Sequence, residues 1–146
     1  MARLAILVVL LLAPLTARAG CAVALEIKPN GSLFTHSESS LTPMGGHNYI
    51  SAADAATALM DDLKRQSITN AQLIFQSDLT GYFSVAVGHT AEGKVVSDVA
   101  RAQDPRQSDR DALAALKAKG AIDGSVSGRF HSYGDPARDS PGDAPN

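Results

Sequence analysis

Thr80-Gly81-Tyr82-Phe83-Ser84-Val85-Ala86-Val87-Gly88 is the stretch on which the fold turns. Aromatic and β-branched residues fill its middle, and after Phe83 the side chains alternate with the two-residue period of a strand. Phe83, Val85 and Val87 fall on one face, and Tyr82, Ser84 and Ala86 on the other. A turn at residues 78–81 precedes this strand. Glu92-Gly93 turns the chain after it, and Lys94-Val95-Val96-Ser97 reads as a further strand. On the amino-terminal side, Gln72-Leu73-Ile74-Phe75-Gln76 is a short strand. Its alternation sets Gln72 and Gln76 beside Ile74, opposite Leu73 and Phe75.

A helix on each side of these strands is legible. Ser51-Ala52-Ala53-Asp54 resembles a capping box, with a hydroxyl and a carboxylate for the free amides of a first turn. Ala56, Leu59, Met60 and Leu63 then recur at helical spacing, while Asp61, Asp62, Lys64 and Arg65 face water. Lys64 and Arg65 also suit the negative end of the helix dipole. Asp104-Pro105-Arg106 reads as the end of a polar linker, and a second helix is expected from Ser108, with Asp111 in the same capping spacing. Leu113 and Leu116 give its apolar stripe, and Gly120 is a left-handed stop. A last strand is expected near residues 126–130.

Further out, Ala24-Leu25-Glu26-Ile27 alternates, Pro29-Asn30-Gly31 turns, and Ser32-Leu33-Phe34 continues. Asn-Gly between apolar runs signals a hairpin. Residues 37–48 form a loop rich in Ser, Gly and Pro, and from residue 134 onward the Pro, Gly, Asp and Ser content predicts disorder. The helices share a pattern: Ser51-x-x-Asp54-Ala55-x-x-Ala58-Leu59 matches Ser108-x-x-Asp111-Ala112-x-x-Ala115-Leu116. Either the chain holds two related helix–strand halves, or caps and Ala-Leu pairs have converged.

The amino terminus has the order of an export signal. Arg3 gives the positive start, residues 4–12 are an unbroken apolar run, Pro14 follows, and Ala17-Arg18-Ala19 supplies small residues at a cleavage site. The apolar run is shorter than the ~20 residues of a comfortable membrane span. Cleavage after Ala19 is the favoured reading. Three others stay open: an uncut membrane anchor, cleavage after Ala22-Val23-Ala24, and lipidation at Cys21, although Arg18 stands where a lipoprotein signal wants an aliphatic residue.

Composition excludes several classes. With 146 residues one domain is the default. The formal charge of −2 falls to −4 when Arg3 and Arg18 leave with the signal, and the chain has no basic run, so nucleic acid is a poor partner. One Cys rules out an intramolecular disulfide, so packing alone must hold the core. His36, His47, His89 and His131 have no ligand spacing, and no metal or other cofactor is expected. No Gly-x-Ser-x-Gly elbow or phosphate loop occurs, so the chain is read as non-enzymatic.

Residues 48–130 resemble a sporulation-related repeat (SPOR-like) domain, a periplasmic module that binds glycan strands of peptidoglycan. The 80–88 segment is similar to that family's third strand. Asp111-Ala112-Leu113-Ala114-Ala115-Leu116-Lys117-Ala118-Lys119-Gly120-Ala121-Ile122 looks like its second helix and the entry to its last strand. Residues 92–107 interrupt the family's pattern. A competing resemblance is to small secreted bacterial domains of strand, turn, strand, Ala-rich helix and strand, which usually carry cysteines missing here. The first resemblance implies an α+β fold of ferredoxin-like βαββαβ order. A small antiparallel sheet would carry two helices on one face and leave the other open, and here an extra N-terminal hairpin would precede it.

The expected organisation is a signal peptide (1–19), a hairpin and loop (20–47), an α+β domain (48–133) and a tail (134–146). Tyr82, Ser84, Gln72 and Gln76 would form a ligand-binding face, where an aromatic ring stacks on a sugar while amides and a hydroxyl bond to it. The expected role is an exported binding module for peptidoglycan, located in the periplasm or secreted, or lipid-anchored through Cys21. The alternative is a secreted protein-interaction factor, an inhibitor or immunity-type partner of unknown target; the partner is expected to be peptidoglycan or an envelope protein. No transmembrane segment is expected after signal cleavage.

Overall fold

The structure is a computed structural model that describes residues 19–39 and 51–133. Eight elements follow one another: β1 (Cys21–Ile27), β2 (Leu33–Ser39), α1 (Ala52–Arg65), β3 (Ala71–Ser77), β4 (Gly81–Thr90), β5 (Val95–Ala102), α2 (Pro105–Ala118) and β6 (Ala121–Ser132). They form two antiparallel three-stranded sheets, in the orders β2-β1-β3 and β5-β4-β6. Each half of the chain is therefore strand, strand, helix, strand, with its first strand in the middle of its sheet.

Side-chain alternation explains how the layers stack. In β1, Ala22 and Ala24 pack with Ala55, Ala56, Leu59 and Leu63 of α1. Val23 and Leu25 point the other way and pack with Val85 and Val87 of β4. β4 repeats the arrangement, with Ala86 against Ala112 and Leu116 of α2. Small residues let each helix lie close to its sheet, while larger ones fill the space between the sheets. The layers run helix, sheet, sheet, helix. Phe83 is central to the inner layer, stacked on Phe130 at 5.2 Å and tilted against Phe75 at 5.7 Å between ring centres. Where β2 meets β6, the Thr35 and Ser127 hydroxyls lie 3.0 Å apart.

The α+β class with two helices is as expected, but no single four-stranded sheet carries both helices. The hairpin is no addition to the domain; it is two-thirds of the first sheet. β1 is buried on both faces, which an appended hairpin would not be. The element order strand, strand, helix, strand is used twice. The shared helix pattern also maps onto equivalent places. Ala55 and Leu59 face β1 as Ala112 and Leu116 face β4.

Ser51 caps α1 as expected, its hydroxyl accepting from the Asp54 amide. The second helix starts a turn earlier than expected. Asp104 is its cap, accepting from the Gln107 amide at 2.8 Å, and Pro105 opens the helix. Pro lacks only an amide that would go unbonded at that position. Ser108 is thus inside the helix and buried, and Leu113 is 37% exposed rather than in the core. Gly120 ends the helix at φ +87°, as its position suggested. The signal segment up to residue 18, most of the 37–48 loop and the tail lie outside the described residues. No helix among the described residues is long and apolar enough to cross a membrane.

Candidate functional site

α2 covers most of one face of the β5-β4-β6 sheet and leaves one end uncovered. Alternation in β4 turns Tyr82 and Ser84 toward that face. Their partners across β6 are His131 and Arg129, which therefore turn the same way. Pro105 and Ser108, in the first turns of α2, close the opposite side. The result is a cleft of about 260 Å³ lined by these six side chains, with Phe83 and Phe130 behind them.

Its floor is a polar network. Ser84 stands where the first half has alanine, in a central strand facing a helix, and it is fully buried. Its hydroxyl lies 2.6 Å from Asp109 Oδ1 and 2.7 Å from Ser108 Oγ, and Ser108 Oγ lies 2.9 Å from the Pro105 carbonyl. Two protons serve these three contacts. Ser84 donates to the carboxylate, and Ser108 donates either to Pro105 or to Ser84. Arg129 Nε donates to both Asp109 oxygens, at 2.8 and 3.0 Å. The bonds from Arg129 and Ser84 hold the Asp109 carboxyl below the usual carboxylate range. A charged, doubly engaged Asp109 accepts hydrogen bonds and is no proton donor at neutral pH. Among the described residues Ser84 makes no hydrogen bond to a histidine, and its side chain is fully buried. The network braces Arg129 and the start of α2 against the sheet.

The mouth of the cleft is aromatic. His131 packs edge-on against Tyr82, with ring centres 4.4 Å apart, and lies tilted against Tyr133 at 4.2 Å. Its Nδ1 is buried without a hydrogen-bond partner among the described residues. Desolvation lowers its pKa, so the ring is neutral at pH 7. Tyr82 is 37% exposed and Tyr133 41%. Three packed rings with two open phenol edges, beside a guanidinium, can stack on the apolar face of a sugar and bond to its hydroxyls.

The four residues expected to form one open face are not brought together. The face of β4 expected to be open, with Tyr82, Ser84 and Ala86, is the one α2 packs on, and the opposite face, with Val85 and Val87, meets the other sheet; Ser84 lies beneath α2. Gln72 and Gln76 belong to β3, in the other sheet. A register shift in the β1–β3 ladder places Gln76 opposite Ala22 and Gln72 opposite Leu25, so they point to opposite faces. Of the four, Tyr82 alone reaches the cleft with an exposed side chain. Cys21 is fully buried, and desolvation pushes its thiol up to about 12. The expected last strand stops at Phe130, short of His131 and Tyr133, whereas β6 runs to Ser132. Continuing its alternation through residue 133 would have found them.

A larger cleft, of about 450 Å³, lies at the far end of β4 and β6. His89 Nδ1 lies 3.2 Å from Asp123 Oδ2 there, and Ser125 lines the same space. Among the described residues Ser125 makes no hydrogen bond to His89, so the three do not form a relay. No group of three or more His, Cys, Asp or Glu among the described residues could hold a metal ion. No family model matches this chain, and neither a curated protein nor a solved structure matches it.

Proposed function

We propose that the protein is an exported, non-enzymatic binding module that takes a saccharide at the Tyr82–His131–Tyr133 surface, with glycan strands of peptidoglycan as the ligand. The packed aromatic triad beside Arg129, at the mouth of the α2 cleft, is the observation that carries this reading. The cleft volume suits one sugar ring rather than a larger molecule. The export signal supplies the setting, since a protein delivered outside the cytoplasm meets the wall polymer there.

Co-sedimentation with amidase-stripped sacculi tests it. The purified protein should pellet, soluble glycan strands should compete, and Tyr82→Ala with Tyr133→Ala should weaken pelleting at least tenfold, stacking being ~1 kcal/mol or more per ring. Gln72→Ala, on the other sheet, should change nothing. Unaltered pelleting of the double variant, or no pelleting of the parent, sinks the reading.

One observation favours a protein partner instead. Ile122 is 73% exposed and shares a shallow cleft with Leu113 and Lys117 at the other end of α2. A single stoichiometric protein recovered from periplasmic extract, and lost with Ile122→Asp, would support that alternative.

A further inference from the structure

The floor of the α2 cleft has already used its protons. The Ser84 hydroxyl donates to Asp109 and the Ser108 hydroxyl to Pro105 or Ser84, so neither has a proton left for a ligand. Both side chains also have no exposure. The walls of the cleft are therefore mainly carbon, from the rings of Tyr82, Pro105, Phe130 and His131. A sugar hydroxyl pushed among them would leave water and gain no partner, which costs free energy. The rim differs. Arg129 lines the cleft with a side chain that is 59% exposed. Its Nε is bound to both Asp109 oxygens, while Nη1 and Nη2 make no hydrogen bond among the described residues. The outer N–H groups of a planar fork thus remain for a ligand. Asp109 is ionised, its carboxyl held low by Arg129 and Ser84, so the pair carries no net charge.

The geometry points to a pocket for an acetamido group, with Arg129 at its rim, so that the saccharide taken here is an N-acetylated amino sugar. This rests on the saccharide reading and names the sugar class at that same surface. An acetamido group has the two parts that the cleft separates. Its methyl carries no polar atom and suits walls of carbon. Its carbonyl is a neutral acceptor with two lone pairs, suited to the free side of the Arg129 fork. A carboxylated substituent suits the site less. Asp109 already balances Arg129, and a second carboxylate would face the first. A plain hydroxyl brings no apolar group to the walls and leaves its own proton without an acceptor on the floor. The Tyr82, His131 and Tyr133 rings at the mouth remain for the apolar face of the sugar ring.

Chitotetraose and cellotetraose share one backbone and differ at each ring only in an acetamido group against a hydroxyl, so the pair isolates the inference. Titrated into the purified protein and followed by NMR, chitotetraose should bind about tenfold more tightly or better, the combined effect of one buried methyl and one hydrogen bond. The acetamido methyl protons should show intermolecular NOEs to the Tyr82 and Phe130 rings. Arg129→Met, which keeps the stem and removes the donors, should weaken chitotetraose binding severalfold. Equal affinities for the two sugars, both weakened by Tyr82→Ala, would overturn the acetamido pocket and leave the saccharide surface standing. A preference for chitotetraose whose methyl NOEs fall on residues outside the cleft would overturn it as well, in a measurement that needs no variant to fold. Binding of neither sugar would remove the saccharide reading, and this inference with it.

Discussion

At the scale of single residues, burial decides which groups can react. Cys21 is the free thiol of the chain, and its position in β1 makes it a core residue rather than a chemical one. Thiolate is the reactive form, and burial pushes the pKa up to about 12. Disulfide reagents at pH 8 should leave the native protein unlabelled over hours and modify one thiol per chain in denaturant; fast native labelling would contradict the placement. His131 sets a pH response. Desolvation lowers its folded pKa below the ordinary 6.5, so the unfolded chain protonates first as pH falls. Stability is full above 6.5 and declines below it. Glu38 runs the opposite way, because burial and the nearby Asp62 raise its carboxyl above 4.5; acidification relieves it. Urea midpoints at pH 7 and 5.5 should differ more in the parent than in His131→Phe, and equal differences would remove His131 as the cause.

At the scale of elements, the helix ends show both what was legible and what was not. Ser51 was readable because a hydroxyl cap, an acidic third position and an apolar stripe follow in order. Ser108-x-x-Asp111 imitates that signal a turn inside α2, where Ser108 instead meets Ser84 across the interface. Nothing local distinguishes a buried hydroxyl from a capping one; the partner is 24 positions away. The true signal was the Asp104-Pro105 pair, in which a capping carboxylate precedes a proline at the first helical position. Asp104→Ala should cost ~1 kcal/mol by urea denaturation, with Asp111→Ala nearly neutral. The reverse order would restore Ser108 as the start. The candidate site was half legible for a similar reason. Tyr82 stood in a clear strand pattern, but Arg129 meets Asp109 through a contact between strand and helix that no spacing announces.

At the scale of the molecule, the decisive matter was how many sheets the strands make. Individual strands and both helices could be read from alternation and spacing. Their assignment to one sheet or two depended on the first strand, where Cys21-Ala22-Val23-Ala24-Leu25 sets small residues against larger ones. That pattern describes a strand covered on both faces, by a helix on the small side and by a second sheet on the large side. The inner layer then carries the stability of the whole. Phe83→Ala should cost ~3–5 kcal/mol, because its ring contacts Phe75 from one sheet and Phe130 from the other. Loss of this shared core should also lower both halves together. Probes placed in α1 and α2 should report one coincident unfolding transition; two separated transitions would mean that each half has its own core.

The chain passes from the first sheet to the second through the short connection at residues 78–80, and every strand pairs within its own half. A break in the backbone there would cut no ladder. It would yield two complementary pieces, each with a sticky sheet face shaped for the other, so that the molecule could be rebuilt by mixing. The same geometry gives either piece alone an uncovered sheet face on which a second copy of itself can dock.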